Sequence, residues 1–240
     1  MPISQITEHC LQIRRFNCIN CYLVRQEDGL TLIDTALGAA RLIIAAAAGL
    51  GQPIRRVLLT HAHADHVGSL DSLKQRIPDV EVSMSGRDAQ LLAEAATGIK
   101  PAAMKLLADE PQTPIKGGFK KVKTTPDNLL SEGDRVGSLR VVNTPGHTPG
   151  HVSFLDERDG SLFAGDALVT FKEIRLPFDP VWFFPLTKAP TWHAATAFAS
   201  AERLAQLQLK RVLAGHGPMR ENVQTELSAA VQRARRQLVV

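Results

Sequence analysis

The sequence is poor in cysteine and has no long apolar run. Its three cysteines, Cys10, Cys18 and Cys21, all fall in the first 21 of 240 positions. An odd number crowded into one end makes no disulfide framework. Cys18 and Cys21 have C-x-x-C spacing, but no second pair exists to complete a four-ligand structural zinc site. Both are expected in a strand over Asn17–Val24, where small buried thiols are common. The longest apolar stretch, around Leu42–Leu50, is far shorter than the roughly 20 residues a bilayer-crossing helix needs. Met1–Cys10 has no basic start followed by an apolar segment, so no secretory signal is read. The expected location is the cytoplasm, with no membrane partner. Also absent are a G-x-S-x-G elbow and a glycine-rich loop ending in Gly-Lys-Ser/Thr, which excludes the common serine-hydrolase and P-loop chemistries.

What is present is an ordinary globular balance, 44% hydrophobic and 22% charged, which excludes a disordered chain. The length suits one large α/β domain with a self-sufficient core, so residues 1–240 are expected to form a single domain. The formal net charge is +4. Residues 100–123 alone hold six lysines against Asp109 and Glu110, a surplus as large as that of the whole chain. This reads as a solvated loop, or as a wall that attracts a carboxylate or phosphate. No basic stripe interleaves with aromatics, which disfavours a nucleic-acid partner.

Along the chain, strand and helix patterns alternate. Strand-like runs lie at Leu30–Asp34, Ile54–Thr60, Val80–Ser83, Gly137–Asn143, Val152–Leu155, Ser161–Ala164 and Arg211–Ala214. Helical runs lie at Ala39–Leu50, Leu70–Ile77, Arg87–Ala96, Pro190–Leu207 and Glu221–Leu238. Gly51 with Pro53, and Pro78, stop the first two helices. Such alternation is the signature of a layered α/β fold. Two stretches break it. Thr97–Asn128 carries Pro101, Pro111, Pro114, a Gly-Gly pair and the lysine excess, and Thr170–Lys188 carries Phe171, Phe178, Trp182, Phe183 and Phe184. Long irregular inserts in a compact domain are usually functional or mobile. The aromatic one is expected either to shape an apolar pocket or to pack beneath a loop.

The central motif is His61-Ala62-His63-Ala64-Asp65-His66, directly after the strand Ile54–Thr60. In open α/β sheets that carboxyl edge is where sites form. Two apart in an extended segment, His61 and His63 share a side and can grip one metal; Asp65 and His66 follow in the turn and can face a second. Three more candidates each follow an expected strand: His147 in Thr-Pro-Gly-His, Asp166 in Ala-Gly-Asp and His216 in Ala-Gly-His-Gly. Flanking glycines let backbone and side chains approach an ion closely. Imidazole and carboxylate suit zinc, iron or manganese, and the lack of thiolates argues against a purely structural zinc site.

These four motifs, in this order, resemble the signature motifs of the metallo-β-lactamase superfamily. The resemblance covers about residue 20 to about 217 and implies an αββα sandwich with a dinuclear site at one edge. It implies that His61, His63 and His147 form one metal site, that Asp65, His66 and His216 form the other, and that Asp166 bridges the two. Asp34 matches the family's acidic residue beneath the site, where it would orient a ligand; a helix N-cap is the other reading. His151 is not expected to be a ligand, and His9 and His193 have no motif around them.

The implied function is hydrolysis of an ester-type bond (thioester, lactone or ester) in a small molecule by a metal-bridging hydroxide. Two divalent ions are expected, zinc first and iron or manganese as alternatives, with Asp65 orienting the water or shuttling its proton. A bridging Asp166 resembles glyoxalase II-like enzymes and lactonases, and the antibiotic-hydrolysing members lack it. Residues 217–240 are too few for the helical glutathione domain of a full glyoxalase II. Lactonases of this fold often place a tyrosine over the site, and the only tyrosine here, Tyr22, belongs to the N-terminal strand. The competing classes are an RNA or phosphodiester nuclease with the same ligands, and a mononuclear-iron persulfide dioxygenase.

Overall fold

The computed structural model describes residues 2–179 and 190–238. Thirteen strands among these residues form two sheets. In the first, β1 (Ile3–Gln5), β2 (Cys10–Arg15), β3 (Ile19–Gln26), β4 (Gly29–Ile33), β5 (Ile54–Leu58), β6 (Glu81–Ser85) and β7 (Asn128–Leu130) lie side by side in chain order. The first four form an antiparallel meander, and the pairs from β4 to β7 are parallel. The second sheet is built from β8 (Arg135–Val136), β9 (Leu139–Asn143), β10 (Val152–Asp156), β11 (Ser161–Gly165), β12 (Arg211–Ala214) and β13 (Arg220–Glu221), again adjacent in order.

Strand side chains alternate between faces, and the buried residues sort accordingly into three cores. Cys21, Leu23, Leu30, Leu32 and Val57 point outward from the first sheet onto α1 (Ala40–Gly49), α3 (Leu70–Arg76) and α4 (Gly86–Thr97), while Asp65 and His66, expected in a turn, lie in the one-turn helix α2 (Ala64–Val67). The strand neighbours Tyr22, Val24, Ile33 and Leu58 point inward, against Val141, Val152, Phe154, Phe163 and Leu213 of the second sheet. From that sheet's outer face, Val142, Leu155, Leu162 and Val212 meet α5 (Ala194–Ala205) and α6 (Gln224–Leu238). Three stacked cores make four layers, helix–sheet–sheet–helix, which is the expected αββα sandwich. Each layer buries a face that would otherwise be wet.

Where boundaries differ from expectation, local chemistry explains it. The strand expected over Asn17–Val24 starts at Ile19, because Phe16, Asn17 and Cys18 turn the β2–β3 hairpin, with Phe16 at φ 51° and Asn17 at φ 58°. Cys21 is in the strand and buried, whereas Cys18 is in the turn. The closing helix starts at Gln224, since Arg220–Glu221 pairs with β12 instead. In α4, Ser85 caps the first turn by accepting from the Asp88 N–H, and Gly98 ends the helix at φ 89°, a left-handed position that glycine takes at no steric cost. His193 is likewise a cap, accepting from Thr196 N at the start of α5. No described helix is long and apolar enough to cross a membrane.

Candidate metal centre

Direction of travel decides where the turns meet. Two antiparallel steps separate β9 from β11, and β12 is parallel to β11. All three strands therefore end at one rim. The end of β5 and the start of β3 are held beside that rim by bonds between the sheets. Val152 N donates to Thr60 O at 2.9 Å, Asn20 Nδ2 to Ala214 O at 3.0 Å, and Tyr22 Oη to Ala214 O at 2.6 Å. Tyr22 is thus spent between the sheets and does not overhang the site.

The rim brings together all seven residues singled out from the sequence. His61 Nε2 lies 3.1 Å from His63 Nδ1, which lies 3.0 Å from His147 Nε2. Asp65 Oδ2 is 3.2 Å from His216 Nε2 and 3.8 Å from His66 Nε2. Between the groups, Asp166 Oδ2 is 3.4 Å from His147 Nε2 and 3.2 Å from His216 Nε2, while its Oδ1 is 3.3 Å from His66 Nε2. Six of the seven are buried, and Asp65 is half-buried. A side chain at Gly215 would not fit, because a Cβ there would come within 2.3 Å of Asp166 Oδ1.

Every imidazole has its other nitrogen tied. His63 Nε2 bonds to Lys116 O at 3.0 Å and His216 Nδ1 to Cys18 O at 2.8 Å. A carbonyl only accepts, so both of these nitrogens carry a proton; this turns the lone pair of His63 Nδ1 toward the centre and leaves Nε2 as the His216 nitrogen that an ion could take once its proton is displaced. His66 Nδ1 meets Asp34 Oδ2 at 2.8 Å. His61 Nδ1 lies 3.0 Å from Thr60 Oγ1, which donates to Asp34. His147 Nδ1 lies 3.3 Å from Thr191 Oγ1. This is the arrangement of metal-ligating histidines, whose far nitrogen is held by an oxygen that fixes the ring.

Electrostatics and satisfaction agree. Burial, joined by the neighbouring imidazoles, pushes His61 well below the usual histidine range. Burial also lowers His63 and His147, leaving three neutral donors whose lone pairs converge. In the other group, burial opposes charge on His66, but Asp166, Asp34 and Asp65 outweigh it and raise the ring well above its ordinary range. Burial also opposes charge on His216, and Asp166 and Asp65 push it up to about 10. Burial disfavours ionised Asp65 and Asp166, yet the His66 and His216 rings hold both carboxyls low. Such a cluster asks for cations, and a metal would displace the protons. Among the described residues, His66 Nε2 and Asp166 Oδ1 are buried without a hydrogen-bond partner. Three sets of donor atoms converge within 4.8 Å of one another: His61–His63–His147, His61–His66–Asp166 and Asp65–His66–His216. The residues therefore fit divalent metal ions.

Supporting residues emerge that sequence reasoning left open or missed. Asp34, at φ 56°, accepts from Thr60 N at 2.9 Å and Thr60 Oγ1 at 2.8 Å as well as holding His66; it caps no helix. His151, lowered by burial to about 3 and so neutral, accepts from the Asp166 backbone N–H at 3.0 Å. Asp88 was missed. Its carboxylate takes the Ala62 N–H at 2.8 Å, the Gly150 N–H at 2.8 Å and the Thr148 hydroxyl at 2.9 Å, joining the His61–His66 loop to the His147 loop. A cavity of about 470 Å³ opens over the cluster. Beyond the cluster its described walls are Ile19, Leu37, Ala64, Gly117, Gly118 and Pro190. No lysine side chain of residues 100–123 lines it. Of the aromatic insert, Phe178 packs against the outer core of the second sheet; Trp182, Phe183 and Phe184 lie outside the described residues.

The chain is similar to known proteins. The family described as the metallo-beta-lactamase superfamily matches residues 16–216. The uncharacterized protein YobT of Bacillus subtilis (strain 168) is 44% identical over 220 residues, covering 91% of each chain. A hydroxyacylglutathione hydrolase of Rhodopseudomonas palustris (strain BisA53) is 30% identical over 169 residues, covering 65% of this chain but only 52% of that enzyme. Among solved structures, TTHA1623 in a di-iron-bound form superposes with a TM-score of 0.62 at 29% identity, covering 86% of this chain and 91% of the other.

Proposed function

Because the chain belongs to the metallo-β-lactamase superfamily, we propose that this metal-dependent hydrolase cleaves an ester-type carbonyl bond (a thioester, lactone or ester) in a small molecule, with two divalent ions at its centre. One observation carries the reading: seven donor atoms converge at one rim while every imidazole's far nitrogen is tied to an oxygen.

His61, His63 and His147 would hold one ion, Asp65, His66 and His216 the other, with Asp166 between them. When bound, the pair supplies Lewis acidity toward a carbonyl oxygen and makes water acidic near neutral pH. Zinc is proposed first, and iron is the alternative that a di-iron relative suggests. Asp65 is the half-buried acid at the cavity floor. His66 and His216 keep it ionised against the pull of burial, so it can orient an attacking water by accepting its proton. Asp166 is fixed from behind, since its main-chain N–H is held by His151. The described walls add no charge, only the apolar or small Ile19, Leu37, Ala64, Gly117, Gly118 and Pro190. That favours a substrate whose non-reacting part is neutral and compact.

The test is metal analysis of purified protein followed by a panel of thioesters, lactones, phosphodiesters and β-lactams. The expected result is two ions per chain and chelator-sensitive turnover of carbonyl esters. Asp166→Ala is expected to lose at least one ion and roughly a thousandfold in kcat/KM, the scale of losing a key transition-state contact. Turnover confined to RNA, or oxygen consumption on a thiol persulfide with one iron per chain, would overturn the reading. So would full activity in Asp166→Ala.

A further inference from the structure

The lysine-rich insert does more than cross the surface. Its stretch from Thr113 to Lys120 is pinned at four points. Trp192 Nε1 donates to Thr113 O at 2.8 Å. His63 Nε2 donates to Lys116 O at 3.0 Å. Ala64 N donates to Gly118 O at 2.8 Å, and Lys120 Nζ to Gly68 O at 2.7 Å. Phe119 also packs edge-on to the His63 ring, with centroids 5.0 Å apart. The chain is pressed so tightly against His63 that a Cβ on Gly117 would lie 2.1 Å from His63 Nε2, and Gly117 sits at φ 106°. That left-handed backbone favours glycine on its own account. One residue on, a Cβ at Gly118 would meet nothing within 4 Å.

We propose that Lys116–Gly117–Gly118 is a strap that sets the tautomer and tilt of His63, and that Gly117 is a positioning residue for the three-histidine metal site. Two features of the contact do separate work. The Lys116 carbonyl accepts a proton from Nε2, and this leaves the Nδ1 lone pair as the only one the ring can offer to an ion. The missing side chain of Gly117 lets that carbonyl come within bonding distance. A methyl group there forces either the ring or the strap to move, and the hydrogen bond is lost in both cases. Outer partners of metal-bound histidines typically change affinity or activity by about 10–100-fold. The proposal rests on the reading of His63 as a ligand and is independent of which substrate is cleaved.

Zinc titration against a chromophoric chelator tests it, in two backgrounds that isolate each site. In His216→Ala, where the three-histidine site remains intact, adding Gly117→Ala is expected to weaken zinc binding by about 10–100-fold. In His63→Ala, where the ring that Gly117 would strike is gone, the same substitution is expected to change zinc binding less than about threefold. Gly118→Ala is expected to bind zinc like the parent. Equal losses in both backgrounds, no loss in either, or an equal loss from Gly118→Ala would overturn the strap. Nitrogen NMR of the zinc-loaded parent needs no variant to fold. The expected signal is a His63 ring protonated at Nε2, and a ring protonated at Nδ1 would overturn the proposal.

Discussion

The two sheets equip the candidate centre by different means. The first sheet delivers four of the seven residues from one loop, and it braces that loop with two buried carboxylates. Asp34 holds His66 directly and His61 through Thr60, and Asp88 holds the Ala62 N–H. The second sheet delivers His147, Asp166 and His216 from three separate turns. Its braces are mostly groups that any sequence supplies or that carry no charge: Cys18 O for His216, the Thr191 hydroxyl for His147 and neutral His151 for Asp166. Charge is thus concentrated beneath the loop whose residues crowd most closely, where imidazoles need an acceptor that compensates their burial. The turns of the other sheet are held by strand direction and glycine-sized gaps, and only the His147 turn shares a carboxylate, taking Asp88 through the Gly150 N–H and the Thr148 hydroxyl.

The comparison breaks most visibly at Asp34. Asp34→Ala leaves the buried His66 Nδ1–H and Thr60 N–H without acceptors, at about 1–3 kcal/mol for each unsatisfied group. The expected outcome is a stability loss of about 3 kcal/mol in urea unfolding and a roughly 10–100-fold loss of zinc affinity. An unchanged affinity would mean that the first sheet does not rely on its carboxylates.

Asp88 sharpens the comparison through pH. Burial is the largest influence on it and raises its carboxyl from 3.8 to about 6, against the opposing pull of Thr148, Ala62, Gly150 and Arg87. The unfolded chain therefore releases this proton first as pH rises, while the folded chain still holds it. Stability from this group is full below about pH 4 and is lost as pH climbs through about 6. A rise of about two units corresponds to at most about 3 kcal/mol. Asp88→Asn keeps the shape and removes the titration. Relative to the parent it is expected to be weakest near pH 4 and to gain up to about 3 kcal/mol by pH 7, read from urea midpoints at each pH. A difference that stays flat with pH would show the three hydrogen bonds outweighing burial.

What was legible in the sequence follows the same division. The loop residues His61 to His66 are contiguous, so their spacing alone states the chemistry. His147, Asp166 and His216 were readable because each stands beside a glycine just after a strand-like run. The layered α/β character was readable from the alternation of strand and helix patterns, the sandwich itself only through the family resemblance; runs such as Ile19–Gln26 build it by sending odd and even residues into different cores. The hairpin strand β2 was not, because it closes on Arg14 and Arg15 and turns through Phe16 and Asn17 at positive φ with no glycine. Asp88 was hidden because an acid in a helix's first turn already has a local explanation in the helix dipole. Only the packing of α4 beneath two loops turns it into a brace. The Gly117 contact was hidden for a similar reason. In sequence it is a glycine among lysines, and nothing local says that the turn lands on an imidazole more than fifty positions earlier.

The smallest expected effect is the sharpest check on the second sheet. His216 is steadied by the main-chain carbonyl of Cys18, not by its sulfur, and Cys18 is half-buried in the turn between β2 and β3. If that account holds, the side chain at position 18 is irrelevant to the centre. Cys18→Ala should keep zinc affinity within about twofold and lower stability by no more than about 1 kcal/mol, the worth of one small buried group. Alkylating the parent should likewise leave the bound metal in place, provided the hairpin keeps its shape. A tenfold loss of zinc from either change would make the thiol itself a participant. The second sheet would then depend on a specific side chain, as the first does, and the contrast between them would collapse.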